Sequence, residues 1–105
     1  CGAVFQLIDD FIEMGVDILD PVQVSAKGMD IETLAMKYKD KICFHGGTDT
    51  QKLLPYGTPD EVKKQVRKII CLFEGTRIFV CPSQNFLPDI PIENLLAMYQ
   101  TPRNF

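Results

Sequence analysis

Phe44-His-Gly-Gly-Thr-Asp-Thr-Gln51 is the stretch of this 105-residue chain richest in groups that could do chemistry. It carries the single histidine, His45, together with the carboxylate of Asp49 and the amide of Gln51, set around Gly46 and Gly47. Ile42 to His45 have strand character and run straight into the Gly-Gly step, so the segment reads as a buried strand ending at a working loop. Glycines there permit backbone conformations and close approaches that a Cβ would forbid. Polar residues just past the C-terminal end of a strand are where α/β folds keep their ligands. In that place Asp49 lines a site, the alternative being an Asx cap on the turn. Asp20, with Gln23 in the same loop after an earlier strand, has the same two readings. Gln84 and Asn85 donate and accept hydrogen bonds without titrating, which suits orienting a ligand. His45, inside an apolar strand, reads as a satisfied interior residue ahead of a catalyst. Tyr56 and Phe86 read as loop-packing aromatics, or as the apolar wall of a flat ligand's site.

These groups need a scaffold, and the periodicity supplies one. Val4 to Met14 repeats apolar residues at helical spacing and ends at Gly15. Val16 to Pro21 is a short strand stopped by the proline, followed by a loop from Val22 to Met29. Asp30 is placed to cap a helix carrying Ile31, Leu34, Ala35 and Tyr38. After the Gly-Gly loop, Thr58-Pro-Asp-Glu61 has the spacing of a capping box, with proline at the first helical position. That helix runs through Val62, Val66, Ile69, Ile70 and Phe73 to Glu74-Gly75. Arg77 to Cys81 is the third strand, and Pro91 opens a last helix that Pro102 ends. The order is αβαβαβα, and strictly alternating elements with apolar strands imply a parallel sheet with right-handed crossovers and covering helices. Both the open doubly wound sheet and the barrel use that pattern. A (β/α)8 barrel needs about 250 residues, so this chain would be roughly two-fifths of one.

Composition bounds the function. With 46% apolar and 24% charged residues the chain is ordinary for one globular domain. A net charge of −3 argues against nucleic acid as an obligate partner. The run Lys63, Lys64, Arg67, Lys68 lies opposite an apolar stripe and reads as a solvated helix face. No apolar run approaches the roughly 18 residues of a membrane span, and no secretory signal is present, so a cytoplasmic location is expected. Cys1, Cys43, Cys71 and Cys81 lack the spacing of a disulfide framework, and Cys43 and Cys71 fall in apolar patterns that would bury them. The chain opens on Cys1-Gly2 and enters helical periodicity at once, as a piece of a longer protein would.

Five stretches, in register along nearly the whole chain, carry a resemblance. They are Cys1-Gly2 before a helix, Val16-Asp-Ile-Leu-Asp-Pro-Val-Gln23, Phe44 to Gln51, Leu54-Pro-Tyr-Gly-Thr-Pro-Asp-Glu-Val62, and Cys81-Pro-Ser-Gln-Asn-Phe-Leu-Pro-Asp-Ile-Pro-Ile-Glu-Asn94. Together they resemble the C-terminal part of the uroporphyrinogen decarboxylase superfamily. The resemblance implies an α/β fold, the last three or so βα units of a TIM (β/α)8 barrel, with the site at the C-terminal ends of the strands. It implies one of two chemistries in the parent enzyme. One is cofactor-free decarboxylation of a tetrapyrrole. The other is methyl transfer between a thiol and a corrinoid, using zinc bound by a His-x-Cys motif and a later Cys, with a corrinoid protein as partner. Cys1-Gly2 is similar to the cysteine end of that motif, and Cys81 is the other thiol that could reach the metal. The family's last-loop Cys or His falls on Gln84. On this resemblance Asp49 and Gln84 are the candidate catalytic residues, and Asp20, Gln23, Gly46, Gly47, Gln51 and Asn85 the candidate substrate-binding ones. Three strands alone leave open edges, so the isolated chain is expected to be inactive and to self-associate as a homo-oligomer.

Overall fold

The computed structural model describes residues 3–83, 85 and 88–104; Cys1, Gln84 and Phe86 lie outside the described residues. A 3-10 turn at Phe5–Leu7 leads into α1 (Ile8–Glu13), followed by β1 (Ile18–Val22), α2 (Ile31–Tyr38), β2 (Cys43–Thr48) and the short α3 (Leu53–Tyr56). Then come α4 (Pro59–Leu72), β3 (Ile78–Pro82), α5 (Ile92–Gln100) and a second 3-10 turn, Thr101–Asn104. The strands form one parallel sheet in the order β1-β2-β3.

The helix ends are built by the residues that the sequence marks. Gly15, at φ +95°, closes α1 in a Schellman motif: its N–H bonds Ile12 O at 3.0 Å and the N–H of Val16 bonds Phe11 O at 3.0 Å. At α4 both arms of the capping box form, Glu61 N to Thr58 Oγ1 and Thr58 N to Glu61 Oε1, each 3.2 Å. At α2 the Asp30 carboxylate accepts from Thr33 Oγ1 at 2.6 Å and Thr33 N at 3.1 Å. Those bonds favour the charged carboxylate, the hydroxyl contributing most, and hold Asp30 below its ordinary value of 3.8. A carboxyl depressed in the folded state stabilises it fully above the unfolded value, and that contribution is lost as pH falls through the folded one. Urea midpoints of the parent and Asp30→Ala should therefore differ near neutrality and converge well below 3.8. A gap that persisted in acid would assign the effect to something other than the charged cap.

The helices cover one face of the sheet. Phe44, fully buried on β2, meets Phe73 of α4 edge to face, with ring centroids 5.8 Å apart. Ile8, Val22, Ile31, Leu34, Tyr38 and Ile69 complete much of the same core, and Met29 joins it from a segment that sequence polarity alone reads as loop. A second cluster, including Leu54, Val66 and Met98, lies where α3, α4 and α5 meet. Buried Asn94 ties that cluster together, its Nδ2 donating to Leu54 O at 2.8 Å and to Gly57 O at 2.9 Å. The opposite face of the sheet bears half-exposed Ile18 and Phe79.

Several expectations need correction. β1 does not stop at Pro21; it continues to Val22, and between Leu19 and Val22 the register slips, Leu19 pairing with Phe44 and Val22 with Gly46. Pro21 is tolerated because β1 is an edge strand and the slip is a bulge. β2 likewise does not end at His45: Gly46 and Gly47 are strand residues, paired with Val80 and Cys81. Gly46 is needed where it stands, since a Cβ there would come within 2.8 Å of Val22 N. Cys71 is exposed, because it points away from the Val62, Val66, Ile69 stripe of α4, and Cys43 is half-buried. Tyr56 is 81% exposed on α3 and packs no loop. The last helix does end just ahead of Pro102, α5 stopping at Gln100 and the proline falling in the 3-10 turn that follows. Lys64, Arg67 and Lys68 are exposed as expected, with Lys68 paired to Glu32 of α2.

Candidate functional site

One side chain from each strand meets on the helix-free face. Asp20 sits at the β1 bulge, His45 on β2 and Cys81 on β3, in a register where His45 pairs with Phe79 and Gly47 with Cys81. His45 Nδ1 is 2.8 Å from Asp20 Oδ1 and 3.3 Å from Cys81 Sγ, and His45 Nε2 is 3.8 Å from the same sulfur. The carboxylate is the stronger and nearer acceptor, so we assign the ring proton to Nδ1 and the basic lone pair to Nε2. The Phe79 ring lies against the imidazole, centroids 5.4 Å apart at 40°. The His45 and Asp20 side chains remain 40% and 60% exposed, so solutes can reach both. Burial, and after it the charge of Asp20, pushes the Cys81 thiol above its ordinary 9.0, against a backbone hydrogen bond at Gly46. The set therefore combines a carboxylate-oriented imidazole, able to take and return a proton, with a neutral thiol beside it.

The other candidates cluster at the C-terminal ends of the strands without joining this set. Asp49 accepts from the N–H groups of Gln51 at 3.0 Å, Lys52 at 3.2 Å and Leu53 at 3.4 Å, so its carboxylate holds the turn into α3. Gln51 is exposed on that turn. Gln23, just past β1, donates to Ser25 Oγ at 3.3 Å, and Asn85 is exposed past β3. Gly46 and Gly47 are buried, and a Cβ on Gly47 would face Ile69 and Ile31 on the helix side. Thr48 and Ser83, at the ends of β2 and β3, bury hydroxyls that lack a hydrogen-bond partner among the described residues. Cys1 and Gln84 lie outside the described residues.

The zinc expectation can be tested on the donor set. Among the described residues no three His, Cys, Asp or Glu side chains form a group that could hold a metal ion. The described residues by themselves do not make a zinc site, and no step is routed through it.

Against known proteins, the family model described as uroporphyrinogen decarboxylase (URO-D) matches residues 1–105. The chain belongs to the URO-D family. No curated protein and no solved structure matches it. Among the described residues of this URO-D chain, no helix is long and apolar enough to cross a membrane. Sequence reasoning missed the partnership of His45 in this URO-D chain: Cys81 is 36 residues away, and nothing in the local pattern pairs them. The available signal was the placement of Asp20, His45 and Cys81 near the ends of three successive strands of an expected parallel sheet.

Proposed function

We propose that this chain supplies the last three βα units of a (β/α)8 barrel and part of the active site of a URO-D superfamily enzyme. Its helix-free face then lines the barrel interior. The observation that carries this reading is the contact of Asp20, His45 and Cys81 across three parallel strands on the face that the helices leave open. Cys81 lies toward the C-terminal end of β3, the end at which barrel enzymes place their chemistry.

The reaction proposed for the parent enzyme is decarboxylation of a tetrapyrrole's acetate side chains. Loss of carbon dioxide from such a group is eased when the adjoining pyrrole carbon is first protonated, because the ring can then accept the electron pair left behind. His45, oriented by Asp20, is the described group suited to carry that proton. Asp49 and the polar loops holding Gln23, Gln51 and Asn85 form the rim that would orient the substrate. Corrinoid-linked methyl transfer is the second reading, favoured by the thiol of Cys81 on the same face, with a corrinoid protein as partner.

By itself the chain would leave the edges of β1 and β3 unpaired, so we expect it to be inactive and to associate with copies of itself. The test is to assay uroporphyrinogen decarboxylation, and methyl transfer from a methylcorrinoid to a thiol, in the protein with its upstream sequence. His45→Gln should lower the active reaction at least about 100-fold, the low end of general acid–base assistance. Asp20→Asn should lower kcat more than it raises KM. Turnover unaffected by either change would remove this face from the active site, and activity in the 105-residue chain alone would remove the partial-barrel reading.

A further inference from the structure

We propose that α5 is a docking helix for a second copy of this chain, the two helices packing antiparallel about a two-fold axis that passes beside Leu96. Along α5, Ile92, Leu96 and Tyr99 are 70%, 49% and 49% exposed, whereas Asn94, Ala97 and Met98 are buried. The buried three face the cluster of Leu54, Val62 and Val66 and the carbonyls of α3 that Asn94 holds. At 3.6 residues per turn the exposed side chains lie about 170° round the helix from the buried ones, so they share one stripe on its outer face. Their spacing of four and then three residues is that of a coiled-coil seam, in which each side chain enters a hole on a facing helix. The strands that would complete a barrel join at the edges of β1 and β3, not on this face of α5.

The stripe is its own complement. α5 runs from Ile92 to Gln100, so Leu96 is its middle residue. A two-fold axis there sets Leu96 against its counterpart and Ile92 of each copy against Tyr99 of the other, which covers both stripes in one operation. Charge selects the same arrangement. Exposed Asp89 and Glu93 stand at the start of α5, and exposed Arg103 stands just past its end. Among the described residues none of these three has an ion-pair partner. Antiparallel packing brings each acidic end toward the other copy's arginine and opposes the helix dipoles, whereas parallel packing would set like charges together. Three side chains per copy make a small interface, so the dimer belongs with the weak, concentration-dependent ones. The inference stands apart from the proposed reaction, which uses the helix-free face of the sheet.

Sedimentation equilibrium over a concentration series reads the association, in the 105-residue chain and in the protein with its upstream sequence. Leu96→Glu and Leu96→Lys each set like charges against one another at the axis, and each alone should weaken dimerisation at least about tenfold, or ~1.4 kcal/mol. An equimolar mixture of the two variants should recover it, because a carboxylate then meets an ammonium across the axis. Leu96 is half-exposed, so both variants should fold, which far-UV circular dichroism checks. A parent chain that stays monomeric at millimolar concentration overturns the proposal. So does association that Leu96→Glu leaves unchanged, which would assign it to the open strand edges. Weakening in both variants without recovery in the mixture removes the two-fold arrangement. Association of the 105-residue chain that is lost when the upstream sequence is present would give the stripe to that sequence and overturn the second copy as its occupant.

Discussion

Gly46→Ala should cost about 2–4 kcal/mol, in the tail of single-substitution effects. Two penalties add at this position. The backbone sits at φ +127°, where side chains other than hydrogen are strained. The new methyl would also lie 2.8 Å from Val22 N and 3.0 Å from Val22 O, and these are backbone atoms of a paired strand that cannot swing aside. Gly47→Ala is the control. It shares the positive φ, at +93°, but its Cβ would meet only side-chain carbons at 3.6 Å and 3.8 Å. Its cost should be about 1–2 kcal/mol, from conformation alone. Urea midpoints at unchanged m-value give the comparison. Equal losses for the two variants would show that the close approach of β1 is not what requires a glycine at position 46.

Phe44→Ala should cost about 3–5 kcal/mol, the range for emptying a buried aromatic site. Phe44 is fully buried between the sheet and α4 and loses its edge-to-face partner Phe73 on truncation. Domains of ordinary stability hold only about 5–15 kcal/mol, so the variant should be close to unfolding at room temperature. Phe79 is the same residue type one register pair away, but it is 51% exposed on the helix-free face. Phe79→Ala should therefore cost less than about 1 kcal/mol. Similar losses for the two would contradict a core confined to one side of the sheet.

The elements were legible in the sequence where a local rule acts alone. Thr58 and Glu61 satisfy each other within one turn, Asp30 and Thr33 do the same, and Gly15 needs only its own backbone conformation, so each boundary could be read from a few consecutive residues. The parallel sheet followed from alternation. What was not legible depends on a second strand. Gly46 and Gly47 look like a loop until β2 is paired with its neighbours, and at Gly46 the demand for glycine comes from the Val22 backbone of β1. Met29 looks like loop until the core closes over it. The candidate site divides the same way. Asp49 and its turn are local and were legible as one of two readings, and the capping geometry is the one that its hydrogen bonds display. The contact of His45 with Asp20 and Cys81 depends on the register of three strands, which no short window contains.

The bulge in β1 also changes how that strand's sequence encodes inside and outside. A regular strand has one frame of alternation, fixed along its length. Here Leu19 and Val22, three positions apart, both pack against the helices, so the frame before the bulge and the frame after it are opposite. Asp20 lies at the seam between the two frames. A strand can thus bury an aliphatic residue on each side of the seam and still turn a carboxylate outward between them. Without the slip, strict alternation would put Val22 on the same face as Asp20 and His45, so the extra residue is what returns Val22 to the core. The burial of Val22 behind the carboxylate is in this sense encoded by the length of β1 as much as by its composition.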